Sequence, residues 1–181
     1  MKWLVLYLRS RQVLVGAATA VACAAGITAL ASESMVTLFT VAVVTSVAAT
    51  GLAGPDPALE RTAALDWRPR RVAHVALIAV AAALLGTIGP ATETEVLVRN
   101  AIGLTGLAAL GVTVLGGGLA WCLPMVWTVV ALSVSMAGRP PVAPLVTWPL
   151  QPPDTTAATV AAGGLGIGGL LVYAVRGPRT Q

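Results

Sequence analysis

Charge is what this chain has least of. Only 10% of its 181 residues are Asp, Glu, Lys or Arg, against 57% hydrophobic. That is too little charge to cover a water-soluble globule and too much apolar length for one small core. Lysine is almost missing, since Lys2 is the only one. A phosphate-binding P-loop needs a lysine after its second glycine, so a standard Walker A motif is excluded. Histidine occurs once, as His74, and no second histidine or cysteine stands at ligand spacing, which disfavours a zinc site. Cys23 and Cys122 both lie within apolar runs, where an inert buried thiol is usual and a disulfide is not. No G-x-S-x-G turn or serine and histidine pairing points to a hydrolase. No catalytic residue, metal site or resident cofactor is expected.

What the chain does have is a series of apolar runs. Six spans can be drawn, each near the length needed to cross about 30 Å at about 1.5 Å per residue. They run Val13 to Ala31, Met35 to Ala53, Val72 to Gly89, Val96 to Gly116, Ala120 to Ala137 and Thr156 to Val175. The expected fold is therefore all-α, one polytopic helical bundle in the cell membrane. The first run has basic residues before it and Ala29-Leu30-Ala31 after it, the form of a secretory signal, but it is longer than a typical signal core and is read as a span. Residues 1–12, with Trp3 and Tyr7 one turn apart beside cations, have the composition of an interfacial segment.

The cations set the orientation. With both termini cytoplasmic, Lys2, Arg9, Arg11, Arg61, Arg68, Arg70, Arg71, Arg176 and Arg179 lie inside and only Arg99 and Arg139 outside, as the positive-inside rule requires. These cations sit at the ends of apolar runs rather than among aromatics on a polar face, so no nucleic acid partner is expected. Membrane lipids are. No Asp, Glu, Lys or Arg falls at the centre of a span, which disfavours a transporter driven by protons or sodium. Arg99, at the outer start of the fourth span, is expected to pair with Glu93 or Glu95. Thr37, Thr40, Thr45 and Thr50 either line a polar surface or bond back to their own helix.

Three local features carry the remaining detail. Gly116-Gly117-Gly118 interrupts an apolar stretch too long for one crossing and is read as a tight cytoplasmic hairpin. Residues 138–154 hold six prolines and Trp148; such a segment is either a plain outer linker or a partly re-entrant lip over an exit. In the last span Gly164 and Gly168 form a G-x-x-x-G spacing, which suits close helix packing, within one chain in preference to a dimer seam.

The long polar loop 55–71 stands apart. Asp56 is a good N-cap, Pro57 fits the first helical position and Pro69 opposes continuation, so residues 57–67 are expected to form one short cytoplasmic helix. Leu59, Ala63 and Trp67 give it an apolar stripe, with Glu60, Arg61 and Asp66 around it. Such a helix either docks on a partner or lies on the membrane.

Taken together, six spans, an interfacial N-terminal segment, a helical loop after the second span and an irregular outer segment before the sixth resemble the membrane (permease) subunit of exporter-type ATP-binding-cassette (ABC) transporters. The resemblance is one of layout over the whole chain and rests on no diagnostic motif. It implies that the loop is a coupling helix seated on a separate cytoplasmic ATPase, with Leu59, Glu60, Arg61, Asp66 and Trp67 as contact residues. It also implies ATP and Mg in that partner, and a second copy or another membrane subunit beside this one. The competing reading is a non-transporting scaffold that recruits a cytoplasmic partner through the same loop.

Overall fold

The computed structural model describes residues 18–19, 21–22, 34–53, 67–88, 92–137 and 143–179. Every regular element among them is helical. Five helices form the body: α1 (Ser34–Ala49), α2 (Arg68–Gly86), α3 (Thr94–Val114), α4 (Cys122–Met136) and α5 (Thr156–Arg176). With the 3₁₀ turns that extend α1 and precede α4, each is long and apolar enough to cross a membrane. They correspond to the second through sixth spans of the sequence reading. The first span and residues 1–12 lie outside the described residues, apart from short helical pieces at 18–19 and 21–22.

Helix α3 is the axis of the bundle, touching each of the other four. Around it α5 meets α2, α2 meets α1, and α1 meets α4. The remaining gap, between α4 and α5, is bridged by the helical turn Ala143–Val146 and the 3₁₀ turn Trp148–Leu150. Two apolar layers stack along α3. One holds Leu38, Val41, Leu97, Leu104 and Trp148; the other holds Leu52, Val75, Ile78, Val112 and Tyr173. The outward faces stay apolar as well, with Leu77 and Leu84 on α2, Val126 on α4 and Val160 and Leu171 on α5 all exposed. Apolar surface on both sides of a helix is what a lipid solvent selects.

The helix ends sort by charge. Arg68, Arg70, Arg71, Arg176 and Arg179 mark one end, and Glu93, Glu95, Asp154 and Arg99 the other. At the arginine end α3 passes into α4 through Gly116 at φ 87°, a backbone conformation that a side chain would strain, so the glycine hairpin is where the sequence puts it. The same end is closed by cations on helix C-termini, where the last carbonyls carry partial negative charge. The Arg179 guanidinium donates to the Val114 carbonyl at 2.7 Å, and the Arg71 guanidinium donates to the Ala174 carbonyl at 3.4 Å. The Tyr173 hydroxyl donates to the Leu52 carbonyl at 2.6 Å.

Helix α2 begins earlier than its hydropathy predicts. Pro69 occupies the first turn of α2, where a missing N–H breaks no intrahelical bond, and the short helix expected before it lies, apart from Trp67, outside the described residues.

The α3–α5 seam also departs from expectation. A Cβ at Gly106 would lie 2.7 Å from the Gly166 nitrogen, and one at Gly169 would lie 2.7 Å from the Gly106 carbonyl carbon. The backbones therefore touch through Gly106, Gly166 and Gly169. Gly164 and Gly168 point elsewhere, and a Cβ on either meets nothing within 4 Å among the described residues. The intrachain packing face is Ala162, Gly166, Gly169 and Tyr173, all buried on α5, rather than the G-x-x-x-G pair.

Candidate functional site

The proline-rich segment turns back into the bundle at the carboxylate end. Prolines 149, 152 and 153 deny it a long helix, so it folds as one helical turn and one 3₁₀ turn that present Trp148 to the interior. The Trp148 side chain is completely buried, among the largest side chains in the core. It reaches α3 at Gly103, where a Cβ would stand 2.8 Å from indole Cζ2. No bulkier residue leaves room for the ring.

Two consecutive polar residues of α3 hold this lip. The Arg99 guanidinium donates to the Pro152 carbonyl at 2.9 Å and also to the Gln151 carbonyl, and the Asn100 amide donates to the Pro149 carbonyl at 3.0 Å. These carbonyls sit in a segment that cannot satisfy them by regular secondary structure, and an apolar environment makes an unmet carbonyl costly. The planar fork of arginine suits two adjacent acceptors. Arg99 therefore does not pair with Glu93 or Glu95; both carboxylates are exposed, and the guanidinium is drawn to the lip instead. The sequence offers no signal for this, because carbonyl acceptors have no residue identity.

The latch is not fully satisfied. Arg99 Nε, Asn100 Oδ1 and Trp148 Nε1 are buried without a hydrogen-bond partner among the described residues. Each such group costs about 1–3 kcal/mol, which offsets part of what the three hydrogen bonds to the lip contribute.

Of the residues expected to bind a partner, Leu59, Glu60, Arg61 and Asp66 lie outside the described residues. Trp67 is half-buried as the N-cap of α2, with the Arg70 guanidinium 5.2 Å above its ring. That cation–π contact ties the loop's end to α2. Four residues on, the buried Arg71 reaches the end of α5, so the loop is connected through α2 to the last helix.

Of the four threonines of α1 and its 3₁₀ extension, two bond back to their own helix, one pairs with another threonine, and the Thr40 hydroxyl is buried without a partner among the described residues. Thr45 and Thr50 bond back to the Val41 and Val47 carbonyls at 2.9 and 2.7 Å, and Thr37 accepts from the Thr92 hydroxyl at 2.9 Å. Among the described residues no group of three His, Cys, Asp or Glu side chains could hold a metal ion.

No family model, curated protein or solved structure matches this chain. The functional reading thus rests on the geometry of the lip, its latch and the arginine end.

Proposed function

We propose that this chain is the permease subunit of an ABC-type exporter, working as a dimer or beside another membrane subunit and driven by an ATPase docked on residues 55–71. The observation that carries the reading is the lip. A segment between the last two helices folds back into the gap between α4 and α5, at the end opposite the arginines. If the arginine end is cytoplasmic, the lip is an outward gate. A plain linker has no need to bury a tryptophan.

The arginine end supports a route for the drive. A push on the loop reaches α2 at Trp67, and Arg71 passes it to the Ala174 carbonyl and to Gly177, whose φ of 71° lets the chain turn against the guanidinium. Helix α5 leads from there to the lip, which adjoins its N-terminus. ATPase closure would thus move α2 and α5 together and loosen the latch at Arg99 and Asn100.

The test is co-purification of the full chain from its native membrane, with subunit identification, followed by vesicle transport assays. An ATP-binding-cassette ATPase is expected with the wild type and should be lost in the Arg61→Glu, Trp67→Ala double variant. Recovery of an ATPase without ATP-dependent flux of any amphiphile would favour the scaffold reading. Copurification unchanged by the double variant would sink the docking assignment.

A further inference from the structure

A cleft of about 420 Å³ opens between α3 and α5 at the carboxylate end, within the size range of small-molecule sites. Glu95 and Arg99 stand on its wall, with Val98 and Ile102 from α3 and Ala162 and Gly163 from α5. Glu95 precedes Arg99 by four residues, the order in which a helical ion pair ordinarily forms. Here it does not form, because the guanidinium is committed to the Gln151 and Pro152 carbonyls. Arg99 is 6% exposed, its Nε has no partner among the described residues, and the acceptors it has there are neutral. One wall of the cleft therefore carries an acidic and a basic residue whose backbones are about 6 Å apart along the helix axis and whose side chains are not paired with each other.

Apart from the hydroxyls of Thr94 and Thr159, the rest of the cleft is apolar and open. Val98 and Ile102 are 43% and 41% exposed, and a Cβ on Gly163 meets nothing within 4 Å among the described residues. The cleft thus offers a charge of each sign near the end of the bundle, with Val98 between them and Ile102 within a turn below Arg99, on helices long enough to span a bilayer. That is the order of chemistry along a phospholipid. An acidic headgroup would meet Glu95 as a like charge, and a purely cationic amphiphile would meet Arg99.

We propose that this cleft binds one membrane phospholipid with a zwitterionic amine headgroup, its phosphate facing Arg99, its ammonium facing Glu95, and an acyl chain along Val98, Ile102 and Gly163. Binding involves no ATPase and does not depend on whether the chain transports anything.

The test is native mass spectrometry of the delipidated full chain in detergent, titrated with phosphatidylethanolamine or phosphatidylglycerol of matched chains. The wild type is expected to prefer the ethanolamine lipid by about fivefold, the scale of one partly exposed ion pair. Glu95→Gln, an exposed substitution that leaves packing alone, should abolish the preference. Gly163→Leu should fill the floor and weaken both lipids by about tenfold, equivalent to losing part of a buried chain. Equal affinity of the wild type for the two lipids overturns the headgroup assignment. Wild-type lipid binding by a Gly163→Leu protein with an unchanged melting temperature overturns the site.

Discussion

Trp148 and Arg99 do different work in the same contact. Trp148 fills volume, since its ring occupies the space left by Gly103 and is fully enclosed. Trp148→Ala should therefore destabilise the folded chain by about 3–5 kcal/mol, the usual cost of emptying a large aromatic site, read as a lower melting temperature in detergent. Arg99 instead satisfies backbone carbonyls. Arg99→Lys keeps the charge but replaces a rigid fork by one flexible ammonium, and one of the two carbonyls should lose its donor at a cost of about 1–3 kcal/mol. Limited proteolysis within residues 143–154 should then rise, while the helices remain protected. If cleavage in the lip does not change, the guanidinium is not what holds it.

At the scale of helices, glycine acts by position and not by abundance. Five glycines lie between residues 163 and 169, yet among the described residues only Gly166 and Gly169 meet a neighbouring backbone or side chain closely. Gly166→Ala or Gly169→Ala should force α3 and α5 apart and cost about 1–3 kcal/mol, as overpacking does. Gly164→Ala and Gly168→Ala place a methyl in open space and remove a flexible residue from a helix, so each should be neutral or stabilising by about 0.5–1 kcal/mol. Thermal unfolding of the four variants in one detergent checks the ranking. The reverse order would move the seam back to the G-x-x-x-G pair. The sequence could not make this distinction, because an apolar helix in lipid is apolar on every side and its periodicity names no inward face. The face chosen is tied to a distant part of the chain, as where Tyr173, one turn after Gly169, donates to the Leu52 carbonyl.

For the whole molecule, the segregation of charge predicts an orientation. Five arginines mark one end among the described residues, and three carboxylates with Arg99 mark the other. In a chain with Cys23 and Cys122 replaced by serine, a cysteine at Asp154 should be labelled by a membrane-impermeant maleimide from outside the cell. A cysteine at Arg176 should be labelled only after permeabilisation. Labelling in the opposite pattern would invert the gate and put the loop 55–71 on the wrong side for a cytoplasmic ATPase.

The approximate placement of the five described helices was legible from the residues alone, α2 beginning four residues early, because a bilayer imposes a length of about twenty apolar residues that any reader of hydropathy can find. The glycine hairpin was legible for the same reason: no single crossing accommodates residues 96 to 136, and glycine alone tolerates the φ adopted at Gly116. Tertiary structure decided what length and polarity leave open. It turned Arg99 from its neighbouring carboxylates to the carbonyls of a segment some fifty residues away. It drew Trp148 into the bundle against Gly103, and it set Gly166 and Gly169, not Gly164 and Gly168, against α3. Each of these depends on which shapes and which unpaired backbone groups come together in space, and those partners are distant in the chain.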